Sequence, residues 1–204
     1  MTPGATSSTN LQKYESGNPI LQALIKRFHA RICDVVQPLQ FKSVLDVGCG
    51  EGFLSRAILD RFPGVELTGV DVSADAVRHA SERCPGARFE VARIEELEGW
   101  TRSFDLVICS EVLEHVDDPV AGARALAARC GGHALITVPW EPWFQLANLA
   151  RGKYLKSWGN HPEHIHRWTL RGFVSMLGGS FEPLHAETRF PWSLCLAKPK
   201  TRRA

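Results

Sequence analysis

From residue 43 onward, short runs of consecutive apolar residues alternate with segments whose apolar residues recur at helical spacing. Strands that are apolar at successive positions are buried on both faces, as in a parallel sheet covered by helices. The alternation therefore predicts a doubly wound α/β fold. The predicted strands are Ser43–Val47, Val65–Val70, Arg88–Val91, Phe104–Cys109, Ala134–Val138, Phe181–Glu187 and Trp192–Ala197. The predicted helices are Pro19–Val36, Phe53–Asp60, Ala74–Ser81, Pro119–Arg129 and Leu170–Leu177.

The length of 204 residues predicts one globular domain, at residues 13–198. Residues 1–12 have the composition of a disordered tail, and residues 199–204 form a basic tail. A stretch rich in Trp and His at residues 139–168 interrupts the alternation and is interpreted as an insert on the substrate side. The last two strands are joined by too short a connection for a crossover helix, which predicts an antiparallel hairpin at one end of the sheet.

Composition narrows the classes of function. The formal net charge is +2 and no block of five like charges occurs, so charge does not indicate nucleic acid as a partner. The six cysteines contain no CxxC pair, which argues against a zinc ribbon or a redox dithiol and favours buried free thiols. No basic, apolar leader and no long apolar run is present, so we expect a cytoplasmic protein.

A glycine-rich turn, GxGxG, follows the first predicted strand and leads into a helix. Gly48, Gly50 and Gly52 allow the backbone to turn tightly and to approach a ligand closely. Asp71 ends the next strand about 20 residues further on, where a carboxylate can accept hydrogen bonds from two ribose hydroxyls. The pattern predicts a site for an adenosine-containing cofactor; the structural alternative is an ordinary turn and an aspartate that caps a helix near Ser73.

Two cofactor classes use such a loop. Dinucleotide-binding loops read GxGxxG, and Phe53 stands where their third glycine would be, which disfavours a nicotinamide-dependent oxidoreductase. Instead, Asp46-Val-Gly-Cys-Gly-Glu-Gly52 resembles motif I of the class I S-adenosylmethionine-dependent methyltransferases. Residues 69–73 (GVDVS) and 104–116 (FDLVICSEVLEHV) resemble two further motifs of that family in the same order. The resemblance implies a seven-stranded sheet of order 3-2-1-4-5-7-6 with the seventh strand antiparallel.

The resemblance also implies roles for individual residues. The methionine part of the cofactor would contact Asp46 and the backbone, and Asp71 would hold the ribose. Members of the family usually carry an aspartate where this chain has Arg93, so the adenine contact would fall to the backbone nearby. The implied cofactor-binding residues are Asp46, Gly48, Cys49, Gly50, Asp71, Val72, Arg93, Ile94 and Ser110.

An acidic and histidine-containing segment follows the fourth predicted strand. If it is helical, Glu111, Glu114 and His115 share one face. Together with His164 they resemble the metal site of metal-assisted O-methyltransferases, such as the ubiquinone-pathway and small-RNA 2′-O-methyltransferases, which implies Mg²⁺ or Mn²⁺ as a second cofactor. Two alternatives stay open: the acids only stabilise a helix start, or a neutral histidine among His115, His164 and His166 acts as general base.

These observations favour an enzyme that transfers a methyl group from S-adenosylmethionine to a small-molecule hydroxyl. The alternatives are a metal-assisted RNA 2′-O-methyltransferase, a nicotinamide-dependent oxidoreductase and a non-catalytic binding domain of the same fold. The aromatic stretch 140–158 is interpreted as a hydrophobic lid, or as a peripheral membrane contact through which a lipophilic acceptor is reached.

Overall fold

The computed structural model describes residues 18–140, 166 and 168–200. The helices are α1 (Pro19–Val36), α2 (Phe53–Arg61), α3 (Ala74–Arg83), α4 (Pro119–Arg129) and α5 (Leu170–Leu177). The strands are β1 (Ser43–Val47), β2 (Glu66–Asp71), β3 (Arg88–Val91), β4 (Phe104–Ser110), β5 (Cys130–Pro139), β6 (Phe181–Arg189) and β7 (Trp192–Pro199). A short 3₁₀ helix, Ile94–Gly99, follows β3.

The strands form one seven-stranded sheet of order β3-β2-β1-β4-β5-β7-β6. Strands β1 to β5 pair in parallel, and β7 runs antiparallel to both β5 and β6. The expected doubly wound fold, its strand order and the terminal hairpin are confirmed. In the register, Asp46 of β1 lies opposite Gly69 of β2 and Ile108 of β4. The carboxyl ends of these three strands therefore meet at one edge of the sheet, where ligands bind in such folds.

Two helices begin at side-chain caps. The Asn18 side chain accepts hydrogen bonds from the backbone N–H groups of Ile20 (3.0 Å) and Leu21 (3.3 Å), and Pro19 occupies the first helical position of α1. Thr169 Oγ1 likewise accepts from the N–H of Gly172 at 3.2 Å at the start of α5. Each cap satisfies donors that a helix end leaves without partners, so these boundaries are fixed locally.

Helices cover both faces of the sheet. One face packs against the 3₁₀ helix, α4 and α5, and its buried residues include Leu45, Val107, Leu126, Ile136 and Phe173. The other packs against α1 and α2, and its buried residues include Phe28, Ile32, Ile58, Leu106 and Leu135. Burial on both faces explains why successive strand positions are apolar. All six cysteines are buried free thiols, as expected from their spacing.

Most element boundaries lie within two residues of the sequence-based ones, and β5 is the exception. It begins at Cys130, whereas the sequence predicted a start at Ala134, because Gly131 and Gly132 carry no strand signal. A Cβ on Gly132 would lie 2.4 Å from the carbonyl oxygen of Asp105 in the neighbouring strand, so the close approach of the two strands requires glycine there. Among the described helices, none is long and apolar enough to cross a membrane.

Candidate active site

The glycine loop between β1 and α2 is held open by its backbone conformation. Gly48, Gly50 and Gly52 have φ values of 73°, 52° and 79°, in the left-handed region that side chains other than glycine rarely adopt. The N–H groups of Gly48 and Cys49 donate to the carbonyl oxygen of Val70 at 2.8 and 3.0 Å. The loop is thereby anchored to the end of β2.

Asp46 is a buried carboxylate at the base of this loop, with 2% of its surface exposed. Ser55 in the first turn of α2 donates its hydroxyl to Asp46 Oδ2 at 2.5 Å. The pKa of Asp46 is raised to about 6, mainly by burial and to a smaller extent by the neighbouring negative charge of Asp71, while the Ser55 hydrogen bond acts in the opposite direction. A carboxylate held in this way can bind a cationic ligand group strongly when it is ionised.

Asp71 links the loop to the start of α3. Its Oδ2 accepts a hydrogen bond from the N–H of Gly50 at 2.9 Å, and its Oδ1 accepts from the N–H of Ser73 at 2.9 Å. Ser73 in turn caps α3 by accepting from the N–H of Ala76 at 3.2 Å. The structural role considered for Asp71 is therefore real, and it leaves both oxygens with further lone pairs for ribose hydroxyls.

The residues expected around adenine lie next to one another at the ends of β2 and β3. Val72 is 66% exposed, whereas Ile94 is buried. The two chain segments are joined by a hydrogen bond from the N–H of Ala92 to the carbonyl oxygen of Asp71 at 3.0 Å. The Arg93 guanidinium is exposed and pairs with Glu95 at 3.3 Å. Arg93 therefore contributes its backbone position here, while its side chain is engaged with a neighbouring acid.

The prediction that Glu111, Glu114 and His115 share a helical face is wrong, because residues 111–118 are not helical. Glu111 has a φ of 59°, and its N–H donates to the carbonyl oxygen of Thr137 at 3.1 Å, which continues the pairing with β5. Helix α4 begins only at Pro119, after Asp118 accepts from the N–H groups of two following residues. The cap and the proline thus set the helix start after the acidic segment.

The acidic segment nevertheless lies at the carboxyl end of β4. Glu114 is buried with 1% exposed, and its Oε1 lies 4.0 Å from Nε2 of the half-exposed His115. Ser110, at the end of β4, shares a hydrogen bond with Thr137 between their hydroxyl oxygens at 2.9 Å. Acid, imidazole and hydroxyl groups are therefore brought to the strand end next to the glycine loop.

His166 is brought to the same segment from the far end of the insert. Its backbone N–H donates to the carbonyl oxygen of Glu114 at 3.3 Å. In its side chain, Nε2 lies 3.3 Å from the carbonyl oxygen of Asp117, and the ring stacks on Trp168. His164, predicted as both base and metal ligand, lies outside the described residues, as does most of the insert. Within the described part of the chain, no three His, Cys, Asp or Glu side chains are grouped as a metal site, so Glu111, Glu114 and His115 do not form one by themselves.

Ser55 is the site residue that the sequence analysis did not identify. It is fully buried between Leu54 and Ile58, on the face of α2 that packs against the sheet. A serine among apolar residues on the inward face of a short helix was the available signal, since a buried hydroxyl requires a partner. Its partner, Asp46, could only be recognised from the fold.

Comparisons with known proteins agree with this geometry. A family model described as a methyltransferase domain matches residues 44–130. The ubiquinone biosynthesis O-methyltransferase of Alkalilimnicola ehrlichii is 32% identical over 168 residues, which cover 72% of this chain and 67% of the relative. The enzyme of the same name from Coxiella burnetii is 31% identical over 171 residues, covering 73% of this chain and 71% of the relative.

Other enzymes with that name match over smaller shares of their length, 37% and 56% in two cases. Among solved structures, magnesium protoporphyrin IX methyltransferase from Synechocystis, with bound S-adenosylhomocysteine, superposes with a TM-score of 0.72 at 20% identity, covering 95% of both chains. At that identity the likeness shows the shared fold alone.

Proposed function

Because this chain belongs to the class I S-adenosylmethionine-dependent methyltransferases, we propose that it methylates a hydroxyl oxygen of a small-molecule acceptor. The observation that carries the proposal is the placement of Glu114, His115 and His166 at the end of β4, beside the glycine loop of β1. Two relatives that are 31% and 32% identical are named O-methyltransferases, which supports oxygen as the methylated atom.

The cofactor is held by the loop and the two strand-end carboxylates. Asp46 would accept a hydrogen bond from the amino group of its methionine part, and the backbone of residues 48–50 would contact the same part. Asp71 accepts from the ribose hydroxyls with lone pairs that its bonds to Gly50 and Ser73 leave over. Val72, exposed at 66%, offers an apolar surface to adenine.

Once bound, S-adenosylmethionine supplies an activated methyl group together with its own leaving group. The protein has to align the acceptor oxygen, exclude water and remove one proton. His115 takes the hydroxyl proton as a neutral imidazole, and Glu114, whose Oε1 lies 4.0 Å from Nε2, stabilises the resulting imidazolium. His166 holds the segment in place through the carbonyl oxygens of Glu114 and Asp117.

The test measures methyl transfer to a panel of hydroxylated aromatic compounds, with the matching amines and O-methyl ethers as controls. Product mass and S-adenosylhomocysteine release should show methylation of the hydroxyl compounds only. His115→Asn should lower kcat by about 10²- to 10⁴-fold while S-adenosylhomocysteine still binds. His79→Asn, at a half-exposed position of α3, is the matched control and should behave like the wild type.

Each other outcome identifies a different protein. Transfer to amines alone would make it an N-methyltransferase, and transfer to an RNA 3′ end would make it an RNA 2′-O-methyltransferase. Cofactor binding without turnover on any acceptor would leave a binding domain. Activity that is lost with EDTA, restored by Mg²⁺ or Mn²⁺, and equally lost in His164→Ala would revive the metal hypothesis.

A further inference from the structure

One hydrogen bond joins β1, the strand before the glycine loop, to α2, the helix after it. Ser55, the third residue of α2, donates to the carboxylate of Asp46 in β1 at 2.5 Å, and both residues are buried. The loop residues that approach the cofactor lie between these two points in the chain. We propose that Ser55 is a positioning residue for cofactor binding, which keeps Asp46 ionised so that the carboxylate attracts the cofactor's amino group. This inference rests on the role proposed above for Asp46.

The surroundings of Asp46 oppose its ionisation. Burial is the largest effect and raises its pKa, and the second carboxylate, Asp71, acts in the same direction from the end of β2. With the opposing Ser55 hydrogen bond in place, the pKa of Asp46 is about 6. The thiols of Cys49, Cys84 and Cys109 also interact electrostatically with Asp46, and each has a raised pKa of its own, so they stay neutral near pH 7. Among the described groups that shift the pKa of Asp46, the Ser55 hydroxyl is the one that favours the charged form.

Two roles for the hydroxyl can be told apart by pH. If Ser55 only fills space and satisfies its own hydrogen bond, its removal weakens cofactor binding equally at every pH. If it keeps Asp46 ionised, its removal raises the pH at which Asp46 deprotonates, because a hydrogen bond to the charged form is lost. Binding is then weakened near neutral pH and recovers at alkaline pH, where Asp46 ionises without help.

The experiment is calorimetric titration of the full chain with S-adenosylhomocysteine between pH 5.5 and 9. In the wild type, affinity should fall as the pH drops through about 6, where Asp46 takes up a proton. Ser55→Ala should move this midpoint up by about one pH unit, with a loss of affinity of about twofold at pH 7 that disappears above pH 8.5. Ser81→Ala removes an exposed serine hydroxyl from α3 and should leave the midpoint unchanged.

Two further variants make the test independent of small packing changes. Ser55→Thr keeps a hydroxyl and should return the midpoint toward that of the wild type. Asp46→Asn should bind weakly with no midpoint in this range, and adding Ser55→Ala to it should have little further effect, because the two residues act through one interaction.

The inference is overturned if Ser55→Ala has the wild-type midpoint, or if it loses affinity by the same factor at all pH values. A wild type that fails to bind S-adenosylhomocysteine at any pH would instead remove the proposed role of Asp46, and Ser55's role with it. The titration needs no acceptor, so neither result depends on which atom the enzyme methylates.

Discussion

Gly48 meets two separate restrictions at a single position. Its φ is 73°, which costs a residue with a Cβ about 1–2 kcal/mol. A Cβ built there would also lie 2.1 Å from Cγ2 of Val112, in the segment after β4. The cofactor loop and the acidic segment are therefore in contact at this glycine, so a substitution here would displace the acidic segment as well as the loop.

Gly48→Ala should lower the free energy of unfolding by about 2–5 kcal/mol, the sum of backbone strain and overpacking, and should weaken S-adenosylhomocysteine binding. Gly64→Ala is the matched control, because Gly64 has a φ of 88° but no heavy atom within 4 Å of the added Cβ. It should lose only the backbone contribution, about 1–2 kcal/mol. Urea unfolding of both variants measures the difference, and equal losses would show that Val112 yields without cost.

The sequence identified the residues whose roles follow from nearby residues, and it did not identify those whose roles depend on contacts between distant parts of the chain. Asp46 and Asp71 lie in a motif whose spacing is fixed by the chain itself. The role of Ser55 depends on its hydrogen bond to Asp46, which lies in another element. Glu111 has a left-handed backbone conformation, and its N–H donates to Thr137 in the neighbouring strand. The sequence around Glu111 does not predict that long-range hydrogen bond.

At the scale of the elements, helix α1 packs against the sheet through one aromatic contact. The ring of Phe28 stacks on Trp192 of β7, with centroids 4.1 Å apart and planes at 16°. On the same helix, Arg31 Nε donates to Glu187 Oε1 of β6 at 2.6 Å. The helix thus spans the end of the sheet formed by the antiparallel hairpin, and buries Phe28 to 6% exposure.

Phe28→Ala should destabilise the protein by about 3–5 kcal/mol, because it leaves a cavity beneath α1 and removes the stacking on Trp192. Phe190→Ala tests the same change at an aromatic residue that is 47% exposed, and should cost less than about 1 kcal/mol. Thermal and urea unfolding give both values. Comparable losses in the two variants would mean that α1 is not docked through this contact.

Elements were predictable where the pattern was strong and local. The buried parallel strands show continuous apolar runs, and α1, α4 and α5 begin at side-chain caps that can be read from the sequence. The acidic segment 111–118 has helical spacing, but it is not helical. The Ser110 hydroxyl and the Glu111 N–H bond to Thr137 of β5 instead, so the chain continues its pairing with that strand. The start of β5 was hidden by Gly131 and Gly132, and the neighbouring strand requires glycine at position 132.

At the scale of the whole molecule, the short connection between the last strands predicted their antiparallel pairing, and the family motifs implied the complete strand order. Proton affinities could not be predicted in this way, because they depend on burial in the folded chain. Burial raises the pKa of Asp46 to about 6 and lowers that of the half-buried His29 on α1 to about 4. The two groups lie in different parts of the fold and respond oppositely to acid.

Their signs follow from proton uptake on unfolding. Between about pH 4 and 6, Asp46 is protonated in the folded protein and ionised in the unfolded chain, so it favours the folded state more as the pH falls. His29 is neutral when folded and protonated when unfolded, so it favours the folded state less as the pH falls. Each contributes a slope of about 1.4 kcal/mol per pH unit, and in the wild type the two slopes cancel.

Removing one group should therefore tilt the stability of the free protein. Relative to the wild type, Asp46→Asn should lose about 1 kcal/mol of unfolding free energy when the pH is lowered from 5.5 to 4.5, and His29→Gln should gain a similar amount. The double variant should again run parallel to the wild type, since all other titrating groups are common to the four proteins. Urea unfolding across this range, without cofactor, measures the four profiles. Four parallel profiles would mean that the pKa values of Asp46 and His29 are the same in the folded and the unfolded chain, which would contradict the burial that is the largest cause of both shifts.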